Sequence, residues 1–101
     1  MSGPRQPMYP IAEVQRLVRA GAFQITGQAR ADAGELGFDE TAIVRCVLRL
    51  TGAEFYKTMP SESYPGLWQD VYRPAFETKA LYVKLQIATA GDAVVISFKE
   101  R

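Results

Sequence analysis

Histidine, the residue that most often moves protons in enzymes, is absent from these 101 residues, and cysteine occurs once, at Cys46. A zinc site rich in Cys or His is therefore excluded, and no intrachain disulfide can form. No tight Asp/Glu cluster marks a magnesium site. What remains for chemistry is lysine, arginine, tyrosine and amide side chains, and their grouping is most legible near the C-terminus. Leu81, Val83, Leu85 and Ile87 alternate with Tyr82, Lys84, Gln86 and Ala88, and residues 93–99 form another strand. If a tight hairpin centred on Ala90-Gly91 joins them, Ala88 faces Ala93, Lys84 faces Ser97 and Tyr82 faces Lys99. Directly paired residues point to one side of a sheet. One side then carries Leu81, Val83, Leu85, Ile87, Val94, Ile96 and Phe98, a core face. The other carries Tyr82, Lys84, Gln86, Val95, Ser97 and Lys99. A phenol and two ammonium groups on one face could hold a phosphate. The plainer alternative is a solvated face, where Lys and Tyr are ordinary occupants, and the pattern alone favours it. A bulge would also shift this register.

The elements that must carry these residues follow from periodicity. Residues 1–9 hold two prolines and a glycine and read as a loose, flexible arm. Pro10 suits the first turn of a helix whose apolar face is Ile11, Val14, Leu17 and Val18, with Gln15, Arg16 and Arg19 turned away. Gly21 is placed to end it. Phe23 and Ile25 suggest a short strand, and residues 28–36 a short helix stopped by Gly37. Asp39 reads as the N-cap of a helix running to about Leu50, with Ile43, Val47 and Leu50 on one face. Cys46 nearby reads as a small buried hydrophobe. Strands are expected at residues 55–58 and 67–73, around a loop at residues 60–66, with Pro74 ending the second. Helices first and strands after indicate an α+β fold, helices packed on an antiparallel β-sheet, in one domain spanning residues 1–101.

The formal net charge is +1. That balance does not itself suggest nucleic acid, but folding can still gather distant cations into a local patch. The N-terminus lacks the apolar run of a signal peptide, and no stretch is long and apolar enough to span a membrane, so a cytoplasmic protein is expected.

Four blocks narrow the function. AEFYKTM, LWQDVYRP, LYVKL and VVISFKER stand in that order and spacing, preceded by VQRLVRAG and ELGFDE. From about Pro10 to the C-terminus the chain resembles the motility quorum-sensing regulator (MqsR) toxins. The resemblance implies a RelE-like fold and the toxin half of a toxin–antitoxin system, a family tied by its name to quorum sensing. It implies an mRNA interferase, an endoribonuclease that cuts single-stranded mRNA without a ribosome or a metal, at GC-containing triplets such as GCU. Carried over by motif, the catalytic residues fall on Lys57, Gln69, Tyr82 and Lys99. The implied partner is an antitoxin with a zinc-binding domain and a helix-turn-helix domain, through which operator DNA is reached indirectly. The loop SESYPGLW, the turn TAGD and the N-terminal arm depart from the family's better-known members.

RNA cleavage without metal needs a base for the 2′-OH proton, positive charge for the phosphorane and an acid for the departing 5′-oxygen. Without histidine, lysine and tyrosine must supply them. Lys57 and Lys99 are expected to hold the phosphate, and clustering should lower one lysine's pKa so that it can act as base. Tyr82 is the best acid, and Gln69 orients phosphate or ribose. Tyr72, Arg73 and Lys84 are secondary RNA-binding candidates. Tyr72 and Trp68 could stack on bases or sit in the core, and core is favoured for Trp68. Arg73 could contact phosphate or pair with Asp70 or Glu77. Two rivals remain: a RelE-like enzyme that needs the ribosome, and a protein-binding module without catalysis.

Overall fold

The computed structural model describes residues 6–101. Helix α1 (Ile11–Arg19) leads to strand β1 (Phe23–Ile25), then α2 (Gly27–Glu35) and α3 (Glu40–Arg49). After a 3-10 turn (Gly52–Glu54) come β2 (Phe55–Pro60), β3 (Trp68–Tyr72), β4 (Ala75–Phe76), β5 (Lys79–Ile87) and β6 (Ala93–Glu100). The caps are the expected kind: the Asp39 side chain accepts from the Ala42 amide and opens α3, and the Thr26 hydroxyl accepts from the Ala29 amide and opens α2. Gly21 follows α1 with a φ of 79°, a conformation costly for other residues.

The sheet runs β1-β6-β5-β3-β2, with β4 paired to β5. Every pairing is antiparallel except β1 with β6, which is parallel. The fold is thus α+β with RelE-like layering, as expected, but the sheet is mixed. The helices cover one face. Val14, Leu17, Val18, Ala29, Ala33, Ile43, Cys46 and Val47 pack there against Tyr72, Leu81, Val83, Leu85, Val95 and Phe98. The Cys46 thiol is buried, which pushes its pKa up to about 12 and makes it a poor nucleophile. No helix among the described residues is long and apolar enough to cross a membrane.

Two expectations change. The helical period turns Gln15 away from the apolar face, yet its Nε2 donates to the carbonyls of Val47, Leu48 and Leu50 at 3.1, 3.2 and 2.9 Å. It satisfies the Leu48 and Leu50 carbonyls at the C-terminal end of α3 and adds a second donor to the Val47 carbonyl, which already accepts the Leu50 amide. Gln15→Ala is expected to cost about 1 kcal/mol and to lower the melting temperature by about 4–8 °C, measured by thermal denaturation. The expected arm over residues 1–9 lies at residues 1–5 outside the described residues. Its remainder is fastened: the amides of Met8 and Tyr9 donate to the Asp70 carboxylate at 2.9 and 2.8 Å, and the Tyr9 hydroxyl donates to the Trp68 carbonyl at 2.8 Å.

The hairpin register departs from expectation twice, and the departures cancel. The turn is one residue longer than supposed. The Ala88 amide donates to Asp92 rather than meeting Ala93, and Gly91 carries the positive φ of 105° that a three-residue loop needs. Near the turn Gln86 therefore pairs with Val94, and Leu85 with Val95. A bulge then takes up one extra residue, Ile96, and restores Lys84↔Ser97 and Tyr82↔Lys99. The Ile96 carbonyl that the bulge frees accepts from the Thr26 hydroxyl at 2.9 Å. Val95 consequently enters the core, while Val94 and Ile96, expected there, are only half-buried.

Candidate active site

Strand pairing assembles the site on the sheet face opposite the helices. Lys57 pairs with Val71, Val71 with Lys84 and Lys84 with Ser97, a row across four strands. Residues so aligned share a face, and two strand spacings put the Lys57 and Lys84 backbones roughly 10 Å apart. Tyr82 and Lys99 form the next pair on the same side. Gln69 on β3 and Arg73 just after its end flank Val71 at a separation of two, which brings them to this side as well.

The side chains converge. Lys99 Nζ lies 5.2 Å from the Tyr82 ring centroid and Lys84 Nζ 5.9 Å from the same ring. Lys57 Nζ lies 5.5 Å from the Tyr56 ring, and the Arg73 guanidinium sits over it at 4.4 Å. Four cations thus surround two phenols. Cations over aromatic faces are attracted by the ring quadrupole, so the rings help hold like charges close together.

The environment tunes the groups in opposite directions. Burial lowers the Lys84 pKa from the usual lysine value; Glu62 opposes this, while Lys99 and Lys57 push the same way. Burial raises the Tyr82 pKa, and neighbouring Tyr56 adds to the rise. Tyr82 is therefore held as a neutral phenol, and Lys84 is the lysine that surrenders its proton more readily than usual. The sequence leads one to expect the base among the clustered lysines Lys57 and Lys99, with Lys84 secondary; the group whose pKa burial lowers here is Lys84.

Gln69 is buried on the same face but is anchored in its own chain of contacts. Its Nε2 donates to Ser61 Oγ at 3.4 Å and to Gln86 Oε1 at 3.2 Å. It borders the cation cluster along β3 rather than sitting inside it. Among the described residues no group of three or more His, Cys, Asp or Glu side chains comes together as a metal site.

Tyr72 is placed elsewhere. It is 1% exposed, on the helix side of the sheet, edge-on to Phe55 with ring centroids 5.6 Å apart. It is core, and no base can stack on it. Trp68 shares that parity but is only half-buried, so the expected preference between the two aromatics is reversed. Arg73 pairs with neither Asp70 nor Glu77: the Asp70 carboxylate takes backbone amides, and Glu77 is bound by Arg45. Tyr56 was missed. The bulge between Phe55 and Lys57 leaves it unpaired beside Lys57, 51% exposed, at the edge of the cluster. Strict alternation would have put Phe55 and Lys57 on one side. An aromatic core residue and a lysine cannot both belong there, and that conflict was the available signal for a bulge.

Two comparisons bear on this face. The family model described as motility quorum-sensing regulator, toxin of MqsA, matches residues 6–100. The chain is also 36% identical over 97 residues to the mRNA interferase toxin MqsR of Escherichia coli (strain K12), covering 96% of this chain and 97% of that protein.

Proposed function

The chain belongs to the MqsR toxin family, and from that premise we propose that it is the endoribonuclease of a toxin–antitoxin pair, cutting single-stranded mRNA without a ribosome or a metal ion. The observation that carries this reading is the gathering of Lys84 and Lys99 over Tyr82, with Lys57 and Arg73 over the neighbouring Tyr56, on a sheet face that no helix among the described residues covers. A phosphodiester is the natural guest of clustered ammonium groups, and a neutral phenol in their midst is a proton donor.

In this mechanism Lys57 and Lys99, with Arg73 beside them, bind the scissile phosphate and neutralise the charge that builds on the phosphorane. Lys84, in its neutral form, takes the proton of the 2′-OH. The 2′-oxygen then forms its bond to phosphorus. The bond to the 5′-oxygen breaks as Tyr82 protonates that oxygen. The products are a 2′,3′-cyclic phosphate and a free 5′-OH. Gln69, whose amide N–H₂ is spent on Ser61 and Gln86, keeps its Oε1 to accept from a ribose hydroxyl at the side of the site.

The finer reading follows the family. Cleavage falls at GC-containing, GCU-like triplets. The whole chain acts as one toxin domain in the cytoplasm, where mRNA is found. A cognate antitoxin with zinc-binding and helix-turn-helix domains neutralises it and links it to operator DNA. The test is incubation of the purified full chain with naked mRNA, with and without EDTA, followed by mapping of the new 5′ ends. Cutting that survives EDTA and leaves 5′-OH ends is expected. Cutting only after ribosomes are added would replace this reading with the RelE-like one, and no cutting in either case would leave a binding module.

A further inference from the structure

Beside the cation cluster, on the same sheet face, lies a cleft of ≈ 440 Å³. Its floor is Gln86, Val94 and Ile96; Gln24 stands on the β1 side, and Tyr64 and Leu67 belong to the loop between β2 and β3. The size falls within the range of small-ligand sites, about 300–1,000 Å³. We propose that this cleft is a base-reading subsite, which holds one unpaired nucleobase of the RNA next to the scissile phosphate, stacked on Tyr64 and hydrogen-bonded by Gln24 and Gln86. The proposal rests on the cleavage reading above and names where that substrate is read.

Three observations carry it. First, the lining contains no charged side chain among the described residues, although the neighbouring surface is crowded with cations. A phosphate is drawn to the lysines, so the guest suited to the cleft is flat and uncharged. Second, the polar groups are complementary. Gln86 Oε1 is occupied by Gln69, which leaves its N–H₂ to donate, whereas Gln24 Nε2 leans on Asp92 at 3.4 Å, which leaves its Oε1 to accept. A donor and an acceptor against an apolar floor match the edge of an unstacked base, and an aromatic ring matches its face. Tyr64 is 63% exposed and borders the cleft. Third, the cleft is continuous with the site. Gln86 follows Lys84 by two residues on β5, roughly 7 Å along the strand, and touches Gln69 directly. The base next to the held phosphate therefore has a place to go.

The test uses the full chain in two measurements. The side-chain amide resonances of Gln24 and Gln86 are followed by NMR while adenosine, guanosine, cytidine or uridine is added. At least one nucleoside is expected to shift both amides, and Val94→Phe, which fills the floor from the side away from the core, is expected to abolish the shift. In parallel, cleavage of a naked transcript pool is mapped. Tyr64→Ala is expected to raise KM by roughly five- to a hundredfold, to leave kcat nearly unchanged and to flatten the base preference at one position beside the cut. An enzyme that cuts naked RNA while no nucleoside shifts either amide, or while Tyr64→Ala and Val94→Phe keep the wild-type preference, would overturn the subsite and leave the nuclease reading standing. Nucleoside binding without cleavage under any condition would overturn the nuclease reading instead. Neither binding nor cleavage would overturn both.

Discussion

Replacing Lys84 by methionine is expected to lower kcat on naked RNA by about 10²–10⁴-fold at neutral pH, the usual worth of a positioned proton-transfer group. Methionine keeps most of the length and packing of the lysine stem and removes only the amine, so the loss reports chemistry rather than folding. Lys57→Ala and Lys99→Ala should each cost about 10²–10³-fold, as the phosphorane loses one source of positive charge. The pH profile separates these roles. A base works when deprotonated, and burial lowers the Lys84 pKa, so the rate should rise with pH through the neutral range and level off below the usual lysine value. An acid works when protonated, and burial raises the Tyr82 pKa, so the fall at high pH should come above the usual tyrosine value. Tyr82→Phe removes that high-pH limb, and Lys84→Met removes the low-pH limb. A Lys84→Met enzyme that keeps its rate and its rising limb would take the base role away from Lys84 and return it to Lys57 or Lys99.

Asp70→Ala is expected to be the most damaging substitution outside the apolar core. The carboxylate is 1% exposed and accepts the amides of Met8 and Tyr9 at 2.9 and 2.8 Å. Hydrogen bonds to a charged group are worth about 1.5–3 kcal/mol each. Loss of both should cost about 3 kcal/mol, discounted because water can reach the freed amides. For a domain of this size that lowers the melting temperature by roughly 12–24 °C. Asp70→Asn keeps one oxygen as an acceptor and should lose about half as much. Tyr72→Phe makes a useful control in the same region. The Tyr72 hydroxyl is buried without a hydrogen-bond partner among the described residues, and burial, with Asp70 adding to the effect, pushes its pKa up to about 12. Its removal should be neutral or slightly stabilising, because no hydrogen bond is lost. Denaturation of the full chain measures all three. A melting temperature for Asp70→Ala within a few degrees of wild type would mean that this fastening contributes little.

The placement of much of the candidate site is legible because it rests on local regularity. The alternation in β5 is unbroken, so Tyr82 and Lys84 were correctly placed on the side away from Leu81, Val83 and Leu85. Asp39 and Thr26 differ in this respect: the first was recognised as a cap, but the second lies within a segment too polar to mark its own start. Where both faces of a strand are covered, alternation vanishes. In β3 everything from Gln69 to Tyr72 is buried, so parity could group Trp68 with Tyr72 but could not say which was core. The β4–β5 turn was invisible for another reason. Glu77 and Thr78 both adopt positive φ, 49° and 69°, a conformation normally announced by Asn or Gly. The parallel pairing of β1 with β6 joins segments about seventy residues apart, and no local pattern encodes it.

The Ile96 bulge has a bearing on how such a chain can vary over generations. A residue gained or lost at the tip between β5 and β6 would ordinarily slide one strand past the other and turn every side chain beyond it to the wrong side. Here the one residue by which the tip exceeds a two-residue turn is absorbed at Ile96, held by the Thr26 hydroxyl, before Ser97. A tip shortened by that one residue makes the bulge redundant and still leaves Tyr82 and Lys99 abreast, so turn and bulge are expected to change together.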